Sequence, residues 1–249
     1  MMCTVCHQRA HIRTGTIFQD SKIPLRTWFL AAWWMVGQKN GYSAKSLHTQ
    51  LGFGSYETAW CILHKFRRAM VFHGRKFLSG VVEVDETYVG GYRPGKPGRG
   101  ADGKVLVAVA VEDKGNAGFG RIRMETVNDA SGESLIGFAR RNIMPGSRLR
   151  TDGWSGYAGA DTFKHKPTTK DLKLAHRVIA LLKRWLGGTH QGAVSHEHLQ
   201  SYLDEFVFRF NRRSSRSRGL LFRRLLENAV KTAPVPYKSI VKNIRKHKP

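Results

Sequence analysis

V-V-E-V-D-E-T-Y-V-G-G, residues 81–91, alternates β-branched with polar side chains at a period of two and stops at a glycine pair. Period and composition together predict a strand. Asp85 stands in its middle, with Glu83 and Thr87 on the same face. An acid within an otherwise apolar strand is costly to bury unless it meets a positive group. Two readings follow: an edge strand with a wet face, or a carboxylate placed to hold a metal ion.

Downstream, Y-R-P-G-K-P-G-R-G can be neither helix nor ladder and reads as a long hairpin tip. It offers Arg93, Lys96 and Arg99 to phosphates and lacks the G-x-x-x-x-G-K-[ST] pattern of a nucleotide-binding loop. Lys104–Val111 is almost wholly apolar, as a strand covered on both faces must be. Residues 119–127 predict a third strand, 131–143 a helix and 147–151 a fourth strand that delivers Asp152. This is a mixed α/β sheet flanked by helices. Asp152 lies in T-D-G-W-S-G-Y, at the carboxyl end of a strand, where ligands of open α/β sheets bind; Asp-Gly is also ordinary turn chemistry. Two carboxylates from neighbouring strands could grip one divalent cation.

The helix predicted over 171–186, closed by Gly187-Gly188, puts His176 and Lys183 two turns apart on one face. His176 reads equally as a solvated helix histidine or as a site residue. A strong apolar stripe over 195–213 ends in R-F-N-R-R-S-S-R-S-R. Arg212 and Arg213 in that run suit a solvated or phosphate-facing edge. A short helix over 219–231 and a loose basic tail complete the chain.

Ahead of the first strand the period is helical. Residues 22–38, 43–51 and 55–72 predict three helices, the last two joined by a G-F-G turn and each capped by a serine. Short helix, glycine turn and longer basic helix is the helix-turn-helix pattern, with Lys65, Arg67 and Arg68 off the buried stripe and available to DNA; a plain three-helix bundle has the same signature. Cys3 and Cys6 form one C-x-x-C, half of a structural zinc site that needs four ligands. The domain reading is therefore a zinc-ribbon remnant at 1–18, a small all-α helix-turn-helix domain at 19–78, the α/β domain at 79–213 and a basic extension at 214–249.

Over 249 residues, 42 Lys and Arg against 18 Asp and Glu leave a net charge of +24. Such a surplus opposes compaction and calls for a polyanionic partner. No apolar run spans a membrane, no signal peptide precedes the chain, and three cysteines make no disulfide framework. The expected partner is DNA and the expected location the cytoplasm.

E-V-D-E-T-Y-V-G-G, T-D-G-W-S-G-Y, L-K-R-W-L-G-G-T-H and H-L-Q-S-Y-L-D-E-F-V-F-R-F-N-R-R, in this order, resemble the DDE-type transposases of bacterial insertion sequences. The resemblance is to the ISXO2-like branch with an N-terminal zinc ribbon and helix-turn-helix. It implies an RNase H-like catalytic domain that cuts and joins DNA with two divalent cations, Mg²⁺ or Mn²⁺. By position, Asp85 and Asp152 match the first two acids, His176 the third site and Lys183 the lysine after it. Asp85, Asp152 and His176 are thereby the expected metal ligands, a D-D-H/K variant of the usual triad. Imidazole in place of Glu removes one negative charge and shifts preference from Mg²⁺ toward Mn²⁺. Only Cys3 and Cys6 remain of the ribbon's two C-x-x-C halves, which leaves Zn²⁺ half its ligands. The implied partners are double-stranded DNA, as terminal inverted repeats and target, and further copies of the chain on it, at the bacterial nucleoid. A decayed transposase that only binds DNA, or an RNase H-like nuclease that cuts without joining, would share these features.

Overall fold

β1 (Val81–Val89) is the central strand of a five-stranded sheet ordered β3-β2-β1-β4-β5. β2 (Val105–Asp113) and β3 (Phe119–Val127) extend it antiparallel on one side. β4 (Arg148–Thr151) and β5 (Lys164–Pro167) extend it parallel on the other. These are coordinates of a computed structural model, which describes residues 4–7, 11–71, 74–90, 104–168, 171–192 and 194–242. The hairpin tip carrying Arg93, Lys96 and Arg99 lies outside them, as does Cys3.

The pleat of β1 and β2 sorts side chains to two cores. Val89, Val107, Val109 and Val111 meet α5 (Lys173–Thr189) and α6 (Leu199–Phe210). Val82, Val84, Leu106, Ala108 and Ala110 meet α4 (Gly132–Asn142) and the turn around Tyr157. β2 is thus buried on both faces, which is why its sequence shows no alternation. A mixed sheet in this order with helices on both faces is the RNase H-like arrangement, as expected.

Three local expectations need correction. β5, K-H-K-P, has no apolar alternation to betray it; as the edge strand it buries little and its charges suit an edge. Gly187-Gly188 do not close α5, which runs on to Thr189 because Leu186 still buries against the core. The third is the placing of the termini. The chain divides into a unit of residues 74–213 and a second unit that joins residues 1–73 to 214–249.

In that second unit, α1 (Leu25–Gly37) and α3 (Tyr56–Ala69) pack with each other and with α7 (Arg218–Lys231), α2 (Ala44–Leu51) packs on α1 and α3, and α8 (Tyr237–Val241) packs on α3. Ser43 and Ser55 cap α2 and α3 as predicted, accepting from the N–H groups of Ser46 and Thr58. Residues 214–242 are accordingly part of this core, with Leu221, Leu225 and Ala229 buried. So is the end of the presumed ribbon remnant: Ile17 and Phe18 are buried, and Phe18 meets Trp28 and Phe66 edge-on. Cys6 is exposed and unbridged.

Candidate active site

β1 and β4 are adjacent, parallel and in register, with Val81 opposite Arg148 and Glu83 opposite Arg150. Opposed residues in a parallel pair point to the same face. The register therefore carries Asp85 and Asp152, each two residues further on, to the same end and face of the sheet.

α5 starts against that face because Glu83 holds it there. The first N–H groups of a helix have no partner within it and carry partial positive charge. Glu83, only 5% exposed, accepts from two of them through Oε2: Leu174 at 2.9 Å and Ala175 at 3.0 Å. Hydrogen bonds to a charged acceptor contribute about 1.5–3 kcal/mol each. One residue later, α5 brings His176 over β1. Its Nε2 lies 3.2 Å from Asp85 Oδ2, and its Nδ1 lies 2.5 Å from Oδ1 of Asp171.

Asp85 is largely covered, whereas His176 and Asp171 are more than half exposed. Burial pushes the Asp85 carboxyl above its ordinary range. The Glu86 N–H, donating to Oδ1 at 2.9 Å, and His176 pull it back, while the charges of Asp152 and Asp171 push it up again. On the other face of β1, Glu86 accepts from the buried Tyr157 hydroxyl at 3.0 Å. Burial, then Glu86, drives that phenol far up, so Tyr157 remains a donor.

Asp152 is exposed on the loop after β4. Its Oδ1 accepts from Trp154 N–H at 3.2 Å, and Trp154 Nε1 donates to the Ala130 carbonyl at 2.9 Å. Gly156 makes this loop possible. A Cβ there would sit 2.6 Å from Trp154 Nε1 and 2.8 Å from the Ala130 oxygen.

Three of the four expected site residues therefore gather at one corner. Lys183 is exposed further along α5, and no ion pair of the described residues involves it. The residues that reading the sequence missed are Asp171 and the anchoring role of Glu83. Asp171 gave no signal, since an acid ahead of a helix is common; Glu83 showed only that it shared a face with Asp85.

The expected metal trio is not closed. Among the described residues, no three His, Cys, Asp or Glu side chains are gathered so as to hold an ion. Each ring nitrogen of His176 lies within ion-pair distance of a carboxylate, Nε2 of Asp85 and Nδ1 of Asp171. What does fit a hard cation is the carboxylate pair. Burial first, and then the charges of Asp152 and Asp171, push the Asp85 carboxyl up, and a divalent ion would offset both.

The expected DNA contacts fare less well. Lys65 and Arg67 are 8% and 1% exposed. Lys65 donates to the Ile17 carbonyl at 3.2 Å and sits 5.8 Å from the Trp28 ring; burial pushes its ammonium below the ordinary range. Neither can reach a phosphate from here, and Arg68 is half-buried. Arg212 stacks 4.0 Å over Phe208 and donates to its carbonyl. Arg213 donates to the carbonyls of Phe119, Gly120 and Phe210. Arg213 thereby fastens the end of α6 to the start of β3.

A family model described as the ISXO2-like transposase domain matches residues 77–211, all but the edges of the sheet-bearing unit. The chain belongs to that family. Among individual relatives, an uncharacterized protein in transposable element ISH50 of Halobacterium salinarum is 34% identical over 101 residues. That match takes in 41% of this chain and 32% of the relative, so the chain spans about a third of its length. Solved structures with similarity include the simian T-cell lymphotropic virus intasome in complex with PP2A regulatory subunit B56 gamma. It shows 14% identity and a TM-score of 0.37, over 83% of this chain and 77% of that one. A pre-cleavage Mos1 transpososome shows 14% identity and a TM-score of 0.32, over 88% and 82%. The fold assignment for this transposase-family chain rests on its own sheet order and on the family match.

Proposed function

We propose that this transposase-family protein cleaves DNA strands at the ends of a bacterial insertion sequence and joins them to a target, using the corner of β1, β4 and α5. The observation that supports the reading is the placing of Asp85 and Asp152 at one end of adjacent parallel strands, with His176 against Asp85. The net charge of +24 suits a DNA substrate.

Asp85 and Asp152 would hold the divalent cations, Mg²⁺ or Mn²⁺. When bound, such ions activate the attacking oxygen and steady the leaving one at a phosphodiester. His176, between Asp171 and Asp85, would complete the site as its third residue and set the direction in which the Asp85 carboxylate faces the cations. Glu83 keeps α5, and so His176, in place. Lys183, exposed on α5, is available to a phosphate of the substrate. DNA recognition by α2 and α3 would use their exposed faces, with Lys45 and Tyr56 in place of the buried Lys65 and Arg67. Synapsis of two ends would require further copies of the chain.

The test is cleavage and joining of oligonucleotides bearing the element's terminal repeats, with Mg²⁺ or Mn²⁺. Asp85→Asn and Asp152→Asn are each expected to lower cleavage at least ~10³-fold, comparable to removing a main electrostatic contributor, while repeat binding persists. Full cleavage by either variant would defeat the assignment. Cleavage without joined products would favour a nuclease, and binding without any cleavage by the wild type a DNA-binding remnant.

A further inference from the structure

Beside the acidic corner runs a groove of about 970 Å³, walled by β4, β5 and the first turn of α5. Its cations and its acids are not in the same state. Asp113 Oδ2 takes Arg150 Nη1 at 3.0 Å, Glu83 takes the α5 N–H groups, and Asp171 takes His176. Every acid lining the groove is thus already engaged. Arg148, Lys166 and Lys173 also line it, all three exposed, and none forms an ion pair with another described residue. The lining thus sets four cations, Arg150 among them, against three acids, and its three exposed cations have no carboxylate partner among the described residues.

The register gives these charges a direction. Glu83 stands opposite Arg150, and Arg150 opposite Lys166; Val81 stands opposite Arg148, and Arg148 opposite Lys164. All of these residues point to the same face as Asp85. Cations two residues apart along a strand are about 6.6 Å apart, and neighbouring strands about 4.8 Å apart. A basic lattice of that spacing at the sheet edge suits a chain of successive phosphates better than one compact anion. Glu83 and Asp171 line its wall, and these are the two acids that flank the Asp85–His176 contact.

We infer that this groove holds the phosphates of one DNA strand and leads it to Asp85. The inference rests on the reading of the acidic corner as a DNA-cleaving site, and it names where the substrate backbone runs. The flat edge strand, exposed and charged, is then a binding surface as well as a protected sheet edge.

The experiment measures binding of a short single-stranded DNA by the full chain across a series of salt concentrations. The combined variant Arg148→Gln, Lys166→Gln and Lys173→Gln is compared with wild type. Loss of three phosphate contacts is expected to make the slope of log Kobs against log salt shallower by about 2, with a raised KM for cleavage. Should the combined variant melt early, the single Lys166→Gln and Lys173→Gln variants replace it, each expected to change the slope by about 0.7. An unchanged slope overturns the groove. Asp85→Asn, measured alongside, separates the two failures: if it keeps cleavage the acidic corner is misread, whatever the slope of the groove variants.

Discussion

α3 and the start of α5 both carry basic residues on faces that look free in sequence, yet they end in opposite states. On α3, Lys65 and Arg67 are buried, and Lys65 is bound to the Ile17 carbonyl with its ammonium near Trp28. At the start of α5, Lys173 and His176 remain exposed, and His176 stands between two carboxylates. What differs is what comes to cover each helix. α3 receives α7, α8 and the segment with Ile17 and Phe18, drawn from both ends of the chain. α5 is fastened by its apolar stripe and by Glu83, which leave its opposite face open. A cation off the apolar stripe is thus functional only if no other segment is folded over it.

The same contrast recurs at shorter range between two acids of β1. Glu83 is committed to a helix terminus, whereas Asp85 is held among like charges. The strongest way to break this comparison is to truncate each in turn. Asp85→Ala should lower strand cleavage about 10³-fold yet leave the melting temperature unchanged or raised, since the cost of burying its carboxyl beside Asp152 and Asp171 is removed. Glu83→Ala should destabilise the sheet-bearing unit by about 2–6 kcal/mol, about 1–3 for each of the two unpaired N–H groups, and cut cleavage about 10–100-fold by freeing His176. Glu83→Gln keeps an acceptor and should recover most of the stability in denaturant titration. If Glu83→Ala melts like wild type, the anchoring role is wrong.

A smaller effect is expected from Asp171→Asn, which weakens the grip on His176 Nδ1. Cleavage should fall only several-fold, as for outer partners that orient a site residue, with an unaltered melting curve. Gly156→Ala sharpens the geometry of the Asp152 loop: the clash with Trp154 and the Ala130 carbonyl should cost about 1–3 kcal/mol, read by thermal unfolding. The smallest effect belongs to α3. Lys65→Met removes a buried charge and keeps the stem volume, so stability should stay within about 1 kcal/mol or rise. Affinity for the terminal repeat should be unaltered. A large loss of DNA binding by Lys65→Met would mean that α3 turns its basic side outward on DNA.

Much of the sheet-bearing unit was legible because its strands and helices repeat a pattern locally. β1, β2, β3 and α4 fall within about two residues of the positions their periodicities predict; Asp85 was visible as an acid within an apolar strand, and Asp152 as an acid where a strand gives way to a loop. β5 was not legible, because an edge strand of K-H-K-P buries nothing that would leave a period of two. Asp171 was not legible either, for its meaning depends on a ring nitrogen of another residue. The burial of Lys65 and Arg67 was not legible, because lying off the apolar stripe says nothing of which distant segment covers a residue. The Lys65 ammonium and the Arg212 and Arg213 guanidinium groups lie near rings and donate to carbonyls.

The amino-acid sequence by itself determined the alternation of strands and helices, the excess of positive charge and the order of the family's blocks, since each is a property of neighbouring residues or of totals. Only the tertiary structure decided that Glu83 anchors a helix 91 residues away, that His176 faces two acids, and that both ends of the chain share one core. Those outcomes depend on which distant segments meet. Pairing across long loops is set by burial and hydrogen-bond satisfaction over the whole fold, and no local pattern records it.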